Sequence, residues 1–400
     1  MIGPSSVFQV AAIGSAALGL AGCVQAALGT ALVARFCARE RRRQQPSSFP
    51  TVTILKPLHG DEPLLDEALE SFCTQDYPAM QIVFGVQRAN DPAIELVRRL
   101  QARHPGVDMS LVVNGALHGE NRKVSNLINM LPHAKHEILV ISDSDIHVGP
   151  DYLRQVVLAF QTPNVGLVTT LYAGLPASNA LPRLLSACQI NHNFLPGVLL
   201  SRYLGRQDCL GATMALTRSM LDRVGGLEAL VAHVADDAVL GRLVRAQGQD
   251  IAIAGCMTWT TIAEDSLPAL YSHELRWGRT VRALAPVGYL ASSIQLPLLW
   301  LTLAVVLQPH ASWPLALFLW CYGFRAAAAF VMDRCVGQRS LMPLLLLAPR
   351  DWLSAIIMAS SMTGTRVDWR GHTMHVSGHV AGPAHAPPIS AIPPPISTGD

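Results

Sequence analysis

Asp143 and Asp145 are two carboxylates, two positions apart, that come directly after the apolar run Ile138–Ile141. Carboxylates two positions apart at the end of a strand can face a common cavity. Mg²⁺ is commonly held by one or two carboxylates together with the phosphates of a substrate. A metal there would neutralise a departing nucleoside diphosphate. The pair predicts a divalent-metal and phosphate site, although an isolated Asp-x-Asp also occurs by chance on turns.

A second acidic pair, Asp236 and Asp237, lies nearly a hundred residues later. Adjacent side chains diverge on a helix, so one carboxylate can face a site while its neighbour is solvated. A carboxylate beside a reacting centre could take the proton of an acceptor hydroxyl as general base. The alternative is a pair of acids that the helix dipole favours at a helix N-terminus.

Basic and aromatic residues could bind the remaining parts of a phosphorylated substrate. Arg276 can pair with a phosphate through its planar fork, and Trp277 offers an amphipathic face for a ring or an acyl chain. Lys123 is a further candidate phosphate contact. The alternatives are a basic helix resting on lipid headgroups for Arg276 and Trp277, and a solvated helix start for Lys123.

These residues need a scaffold, and the segment from Thr51 to about Thr258 predicts one. Short aliphatic runs alternate there with helix-like stretches, which predicts an α/β fold with a mostly parallel sheet covered on both faces. Ligands of such sheets bind at the carboxyl ends of the strands, where the acidic motifs fall. The predicted strands are Thr51–Pro57, Gln81–Gln87, Ser110–Asn114, Glu137–Ser142 and Gly166–Leu171. The predicted helices are Pro63–Thr74, Asp91–Arg103, Asn121–Leu131 and Pro150–Gln161.

The composition indicates a membrane protein, because half of the residues are hydrophobic and 14% are charged, with a mean hydropathy of +0.31. The run Val7–Phe36 exceeds the roughly 20 apolar residues that a spanning helix needs. Basic residues follow it, beginning at Arg35, so the positive-inside rule predicts a cytoplasmic domain after the helix. A net charge of +2 argues against nucleic acid as a partner.

Apolar segments return after Pro286. Tyr289–Gln308 and Trp313–Met332 are each long enough to span and are expected to form an out-and-back pair. Leu341–Gly364 is interrupted by Pro349, Arg350 and Asp351, so a re-entrant or interfacial pair is expected. Pro182–Leu204 predicts either an interfacial helical pair or a helix packed inside the domain.

The expected organisation has four parts. Residues 1–45 form an N-terminal transmembrane anchor with a basic flank, and residues 46–285 form the cytoplasmic domain. Residues 286–370 form C-terminal membrane segments, and residues 371–400 form a disordered tail rich in Pro, Ala and Ser. This organisation predicts a multi-pass protein of the inner membrane.

The ordered motifs resemble family 2-type glycosyltransferases of the ceramide glucosyltransferase-like branch. Besides the acidic pairs and Arg276-Trp277, the opening Leu55–Gly60 and the segment around Asp91 are similar to that branch. The resemblance covers roughly residues 50–285 and implies a GT-A-like nucleotide-sugar-binding domain with transmembrane helices on both sides. His273 departs from the pattern, which has Gln or Arg at that position.

The resemblance also implies roles for individual residues. Pro57 and Asp91 would bind the nucleotide, with Asp91 at the uracil or ribose. Asp143 and Asp145 would bind UDP and its Mg²⁺ or Mn²⁺, with Asp145 as the direct ligand. Lys123 would contribute to donor binding, and Asp237 would be the general base. Arg276 and Trp277 would line the diphosphate and acceptor side.

Within that branch, Glu120–Met130 and Ile141–Ile146 look most like bacterial hopanoid-associated enzymes. This resemblance implies inverting transfer of N-acetylglucosamine from a UDP-sugar to a membrane lipid such as bacteriohopanetetrol. A ceramide glucosyltransferase that uses UDP-glucose is the nearest alternative. A non-catalytic membrane scaffold is the alternative from another class.

Overall fold

The computed structural model describes residues 4–40, 46–364, 366–369 and 372–375. Its strands are β1 Val52–Pro57, β2 Met80–Val86, β3 Asp108–Val113, β4 Ile138–Ile141, β5 Ile146–His147, β6 Val165–Pro176, β7 Met214–Thr217, β8 Asp250–Ile262, β9 Arg366–Trp369 and β10 His372–His375. Its helices are α1 Pro4–Glu40, α2 Leu65–Cys73, α3 Ala93–Arg103, α4 Arg122–Met130, α5 Tyr152–Phe160, α6 Leu181–Gln189, α7 Leu195–Tyr203, α8 Arg218–Arg223, α9 Asp236–Ala246, α10 Leu267–Leu284, α11 Pro286–Ala291, α12 Pro297–Leu307, α13 Ser312–Cys335, α14 Met342–Leu345 and α15 Leu347–Ser361.

Strands β1 to β8 form one mixed sheet in the order β3-β2-β1-β4-β7-β6-β8-β5. The four strands β3, β2, β1 and β4 are parallel, as are β6 and β8, whereas β7 and β5 run antiparallel to their neighbours. Every residue of β1 is buried, which explains its nearly continuous apolar run. The predicted mostly parallel sheet is therefore present, and β5, β7 and β8 extend it beyond the predicted strands.

Both faces of the sheet are covered. One core packs α2, α3 and α5 against Ile54, Phe84 and Val140. The opposite core packs α4, α8 and α9 against alternate positions such as Leu55 and Leu139. Because Leu55 pairs with Ile141, β1 and β4 end at the same edge, and this register brings the residues after both strands together.

Among the described residues, α1 and α13 are the two helices long and apolar enough to cross a membrane. The segment predicted to span over Tyr289–Gln308 is not one straight helix, because the chain bends by 68° between two helical pieces before Pro297, and the pair forms either a broken span or a re-entrant loop. Proline is favoured in the first turn of a helix and breaks a helix interior. Asp351 Oδ2 accepts a hydrogen bond from Leu298 N at 2.9 Å and so caps the new helix start.

The interrupted C-terminal segment forms the short helices α14 and α15. Its charges, Arg350 and Asp351, are 2% exposed. Helix α6, a π-helical turn Ile190–Phe194 and α7 follow one another, and the apolar side of α6 is buried, as the packed-helix alternative for Pro182–Leu204 expects. Strand β10 lies inside the expected disordered tail and pairs with β9, which lies just before it, and residues 376–400 lie outside the described residues.

Candidate active site

Lys56 on β1 meets the residues that follow β4. It is fully buried, its Nζ donates to the backbone oxygen of Asp143, and it lies 4.0 Å from the centroid of the Phe72 ring. Burial lowers the pKa of Lys56 to about 7, although the carboxylates of Asp145 and Asp143 oppose the shift. A lysine in this place can respond to the charge of a bound ligand.

Lys123 bridges the two acidic motifs that the sequence keeps far apart. Helix α4 begins at Arg122, one residue before Lys123. Asn121 caps this helix start, because its side-chain oxygen accepts a hydrogen bond from Val124 N at 3.0 Å. The Nζ of Lys123 lies 2.7 Å from Asp143 Oδ1 and 3.1 Å from Asp236 Oδ2. Burial opposes its charge, but these carboxylates outweigh burial and raise the pKa of Lys123. The predicted phosphate contact is thus, in this structure, the cation that joins the acids.

Asp237 lies in the first turn of α9, close to Asp143. Gly211 lies beside both side chains, because a Cβ on Gly211 would lie 3.3 Å from Asp237 Oδ2 and 3.7 Å from Asp143 Oδ2. Burial and the neighbouring Asp236 raise the pKa of Asp237 to about 6. Asp237 is therefore a carboxylate at neutral pH and a stronger base than an exposed aspartate.

Asp145 is held by the opposite half of the sheet. Its Oδ2 accepts from Thr260 Oγ1 on β8, and its backbone oxygen accepts from Thr261 N at 3.0 Å. Burial and the charge of Asp143 raise the pKa of Asp145 to about 6. The repulsion between these two carboxylates is what a divalent cation would relieve.

The described residues contain no group of three or more His, Cys, Asp or Glu side chains that could hold a metal ion. Two carboxylates completed by substrate phosphates are, however, a common arrangement for Mg²⁺. The side chain of Asp143 is 36% exposed, so one member of the pair is open to a ligand. The donor chemistry of Asp143 and Asp145 therefore fits the expected metal.

Asp91 organises the loop that follows β1. It is 7% exposed, both of its carboxylate oxygens accept from Gly60 N at 3.1 Å, and Oδ1 also accepts from Ala93 N at 3.0 Å. Pro57, the last residue of β1, is buried beside this loop. The two predicted nucleotide-binding residues thus lie together, with Asp91 fastening the loop to the start of α3.

Arg276 and Trp277 lie on α10, whose first turn is capped by Ser266. Trp277 packs against a cluster formed by Ala187, Ile190 and Ile262, and Tyr172 packs against the same cluster. Burial raises the pKa of the Tyr172 hydroxyl, and the charge of Asp237 adds to the shift. Tyr172 therefore lies between the aromatic side of the site and the acids.

The sequence model of Glycosyl transferase family 21 matches residues 15–380. The chain belongs to glycosyl transferase family 21.

Curated relatives include "Ceramide glucosyltransferase 1" of Caenorhabditis elegans, 24% identical over 239 residues, or 60% of this chain and 51% of the relative. "Ceramide glucosyltransferase 3" of the same organism is 24% identical over 317 residues, or 78% of this chain and 62% of the relative. The chain thus spans between half and two thirds of the length of these relatives. "Ceramide glucosyltransferase" of Candida albicans is 34% identical over 123 residues, 28% of this chain and 23% of the relative.

Among solved structures, "Mannosyltransferase PcManGT from Pyrobaculum calidifontis in complex with GDP-Man and Mn2+" is similar with a TM-score of 0.46 and 20% identity. The match covers 87% of this chain and 96% of that one. Family membership confirms the expected GT-A-like α/β fold and the ceramide glucosyltransferase-like resemblance.

Sequence reasoning missed three residues that shape the site of this family 21 chain. Lys56 lies in the Leu55–Gly60 segment that resembles the family but was given no role of its own, and Gly211 carried no signal. Glu274 lies within the Arg276-Trp277 motif and pairs with Arg350 through both carboxylate oxygens, at 2.9 and 2.7 Å. This buried pair anchors α10 to α15.

Proposed function

We propose that this chain is an inverting glycosyltransferase that moves a sugar from a UDP-sugar to a hydroxyl of a membrane lipid. The observation that carries the proposal is the closeness of Asp143 and Asp237, which both lie beside Gly211 at the carboxyl edge of the sheet. One acid there belongs to the expected diphosphate site and the other to the expected acceptor site. Their closeness is what a direct displacement between donor and acceptor requires.

The proposed reaction is a single in-line displacement. Asp237 takes the proton of the lipid hydroxyl while the hydroxyl oxygen forms a bond to the anomeric carbon of the sugar. The bond from that carbon to the UDP oxygen breaks, UDP leaves with the electron pair, and the anomeric configuration inverts. General-base assistance of this kind typically contributes 10²–10⁴-fold to the rate. Lys123 holds Asp143 and Asp236 in place, and its pairing with both supports this role.

Asp143 and Asp145 would hold a Mg²⁺ or Mn²⁺ ion, which when bound would neutralise charge on the departing diphosphate. Asp91 and Pro57 would lie at the nucleoside side. Arg276 and Trp277 would line the diphosphate and acceptor side, and their place next to the Tyr172 cluster supports this assignment.

Two acceptors are proposed. Transfer of N-acetylglucosamine to a hopanoid such as bacteriohopanetetrol rests on the resemblance of Glu120–Met130 and Ile141–Ile146 to hopanoid-associated enzymes. Transfer of glucose to ceramide is favoured by the names of the curated relatives. The basic residues Arg35 and Arg39 near the end of α1 support a domain on the cytoplasmic face of the inner membrane.

The test is transfer by membranes that carry the protein, with UDP-glucose, UDP-N-acetylglucosamine and UDP-galactose each offered to bacteriohopanetetrol and to ceramide. We expect a product with the inverted, β anomeric configuration, formed with Mg²⁺ or Mn²⁺ and abolished by EDTA. A glucosylceramide product would keep the mechanism and replace the hopanoid acceptor. Absence of transfer to every lipid by folded protein would contradict the proposed function and favour a scaffold.

A further inference from the structure

A small polar cavity lies where α1, α7 and α13 meet the turn before α12. Its volume is about 20 Å³, and the polar side chains that line it belong to Gln25, His192, Asn193, Gln295 and Arg325. We refer to it as the polar cavity. A space of this size holds one water or one hydroxyl group. It is separate from the acidic cluster at the sheet edge.

The polar cavity contains buried hydrogen-bonding groups without partners. Within the described part of the chain, Gln25 Oε1, His192 Nδ1 and the Nε and Nη1 atoms of Arg325 have no hydrogen-bond partner. Arg325 is 2% exposed and His192 is 3% exposed. Leaving such groups unpaired is costly, and ionisable residues within membrane helices are rare unless they serve a function. These atoms are therefore expected to bind a group that enters the cavity.

Other bonds hold these side chains in place. Arg325 Nη2 donates to Asn193 Oδ1 at 2.6 Å, and His192 Nε2 lies 2.8 Å from Asp333 Oδ1. Asn193 also donates to Gln189 Oε1 at 3.0 Å, and Gln189 accepts from Ser354 Oγ, which bonds Arg350. The cavity is thus preorganised and joined by hydrogen bonds to the pair that anchors α10.

The depth of the polar cavity matches the polar region of a lipid next to its headgroup. Large apolar side chains of α1 are exposed from Val7 to Leu28, a length of roughly 33 Å at 1.5 Å per residue. That length is close to the roughly 30 Å of a hydrocarbon core. Beyond it, Val33 and Cys37 are buried against the domain. Gln25 therefore lies about one turn inside the boundary.

The segment that lines the cavity also reaches the reaction site. His192 and Asn193 belong to the π-helical turn, and such turns are frequent at functional sites. The next residue, Phe194, packs its ring on Tyr172 with centroids 4.8 Å apart. Tyr172 belongs to the aromatic cluster beside Trp277. A lipid lying along this turn would pass from the cavity toward the acids.

The unpaired atoms indicate which ligand fits. Arg325 offers N–H donors and Gln25 offers an acceptor oxygen, so a hydroxyl, which both accepts and donates, matches them. We propose that the polar cavity binds a hydroxyl of the acceptor lipid other than the one that reacts. This inference rests on the proposed function, because it assumes a lipid acceptor. A bound water has the same chemistry and is the competing occupant.

The kinetic test compares Gln25→Leu with Gln9→Leu, the same change at an exposed position of the same helix. Because Gln25 Oε1 has no partner within the described residues, its loss removes no known bond of that atom. We expect the acceptor KM of Gln25→Leu to rise about 3- to 10-fold, the effect of one neutral hydrogen bond. The KM for the UDP-sugar and kcat should stay unchanged. Equal acceptor KM values in the two variants would mean that the cavity holds water only.

A binding test separates this inference from the proposed function. Purified protein is incubated with bacteriohopanetetrol, ceramide or a hopanoid hydrocarbon that lacks hydroxyls, and retained lipid is counted by native mass spectrometry. We expect Gln25→Leu to retain less of a hydroxylated lipid than Gln9→Leu and an equal amount of the hydrocarbon. This result without any transfer would refute the proposed function alone. Transfer by protein whose lipid retention is the same in both variants would refute the cavity alone.

Discussion

Two buried charged regions of the molecule differ in how well their charges are balanced. At the sheet edge, Lys123 is the direct ion-pair partner of Asp143 and Asp236, and Lys56, whose pKa burial lowers to about 7, lies nearby. The pKa values of Asp145 and Asp237 are raised by burial and by a neighbouring aspartate. Between α10 and α15, Glu274 and Arg350 satisfy each other one to one. Excess negative charge suits a site that binds a cation and takes protons, whereas a closed pair suits a structural joint.

The excess of negative charge at the sheet edge predicts that a substitution of Asp237 reduces transfer more than any other change. Asp237→Asn keeps the shape of the side chain and removes its ability to accept a proton. We expect transfer to fall by about 10²–10⁴-fold while UDP-sugar binding is retained. The measurement is kcat together with donor affinity by calorimetry, with Asp222→Asn on the exposed surface of α8 as control. Full activity of Asp237→Asn would remove this residue from the mechanism.

For the Glu274–Arg350 pair we predict that a substitution lowers the stability of the protein, without a direct effect on the reaction. Arg350→Ala leaves the buried carboxylate of Glu274 without its partner, which typically costs about 3–5 kcal/mol. We expect a lower thermal unfolding midpoint, with Arg223→Ala at an exposed position of α8 as control. The double variant Arg350→Met with Glu274→Leu should recover part of the loss, because no charge is then buried alone. A double variant less stable than Arg350→Ala would contradict this explanation.

The sequence predicts local strands and helices much better than it predicts the acidic cluster at the sheet edge or the Glu274–Arg350 pair. β1, β4 and the residues after them follow from short aliphatic runs and from the rule that ligands bind at carboxyl ends. The contact between Lys123 and Asp236 joins positions more than a hundred residues apart, and no local pattern reports it. Only packing can show that Gly211 lies beside both Asp237 and Asp143.

The membrane segments show the same limit. Counting apolar residues finds α1 and α13, because length and composition decide whether a helix can span. It does not show the bend before Pro297, which depends on a proline and on a cap that Asp351 supplies from a distant helix. Arg350 and Asp351 likewise suggested an interruption of the apolar segment, and the structure adds that both charges have protein partners.

Asp145 provides a prediction about the cation that the excess charge favours. Asp145→Ala removes one expected metal ligand and relieves the repulsion on Asp143. We expect the metal-dependent part of UDP affinity to fall by at least about tenfold, the lower end for residues that support a metal site. Calorimetric titration of UDP with Mn²⁺ and with EDTA measures it, and Thr260→Val serves as a milder variant. Unchanged affinity would count against a metal role for Asp145.

The raised pKa of Asp237 predicts the pH dependence of transfer. Burial, with the charge of Asp236, raises this pKa to about 6, so Asp237 takes up a proton as the pH falls through 6 and can no longer act as a base. We expect kcat/KM to fall about tenfold per pH unit below 6, at saturating metal. An exposed aspartate would give this limb near pH 4. A profile that stays flat down to pH 5 would contradict the assignment.

A substitution at Gly211 tests whether the position of Asp237 beside Asp143 matters, and we expect it to reduce activity less than the other changes do. Gly211→Ala places a Cβ 3.3 Å from Asp237 Oδ2, a contact tight enough that the carboxylate must move by a few tenths of an ångström. Because catalysis depends steeply on the alignment of the reacting groups, we expect kcat to fall several-fold, and at most about tenfold, with the donor KM little changed. Gly106→Ala is the control, because a Cβ at that position meets no atom within 4 Å. Gly248 is unsuitable, because its positive φ would strain an alanine. If Gly211→Ala and Gly106→Ala have the same kcat, the position of Asp237 beside Gly211 does not matter for the reaction, and the base must lie elsewhere.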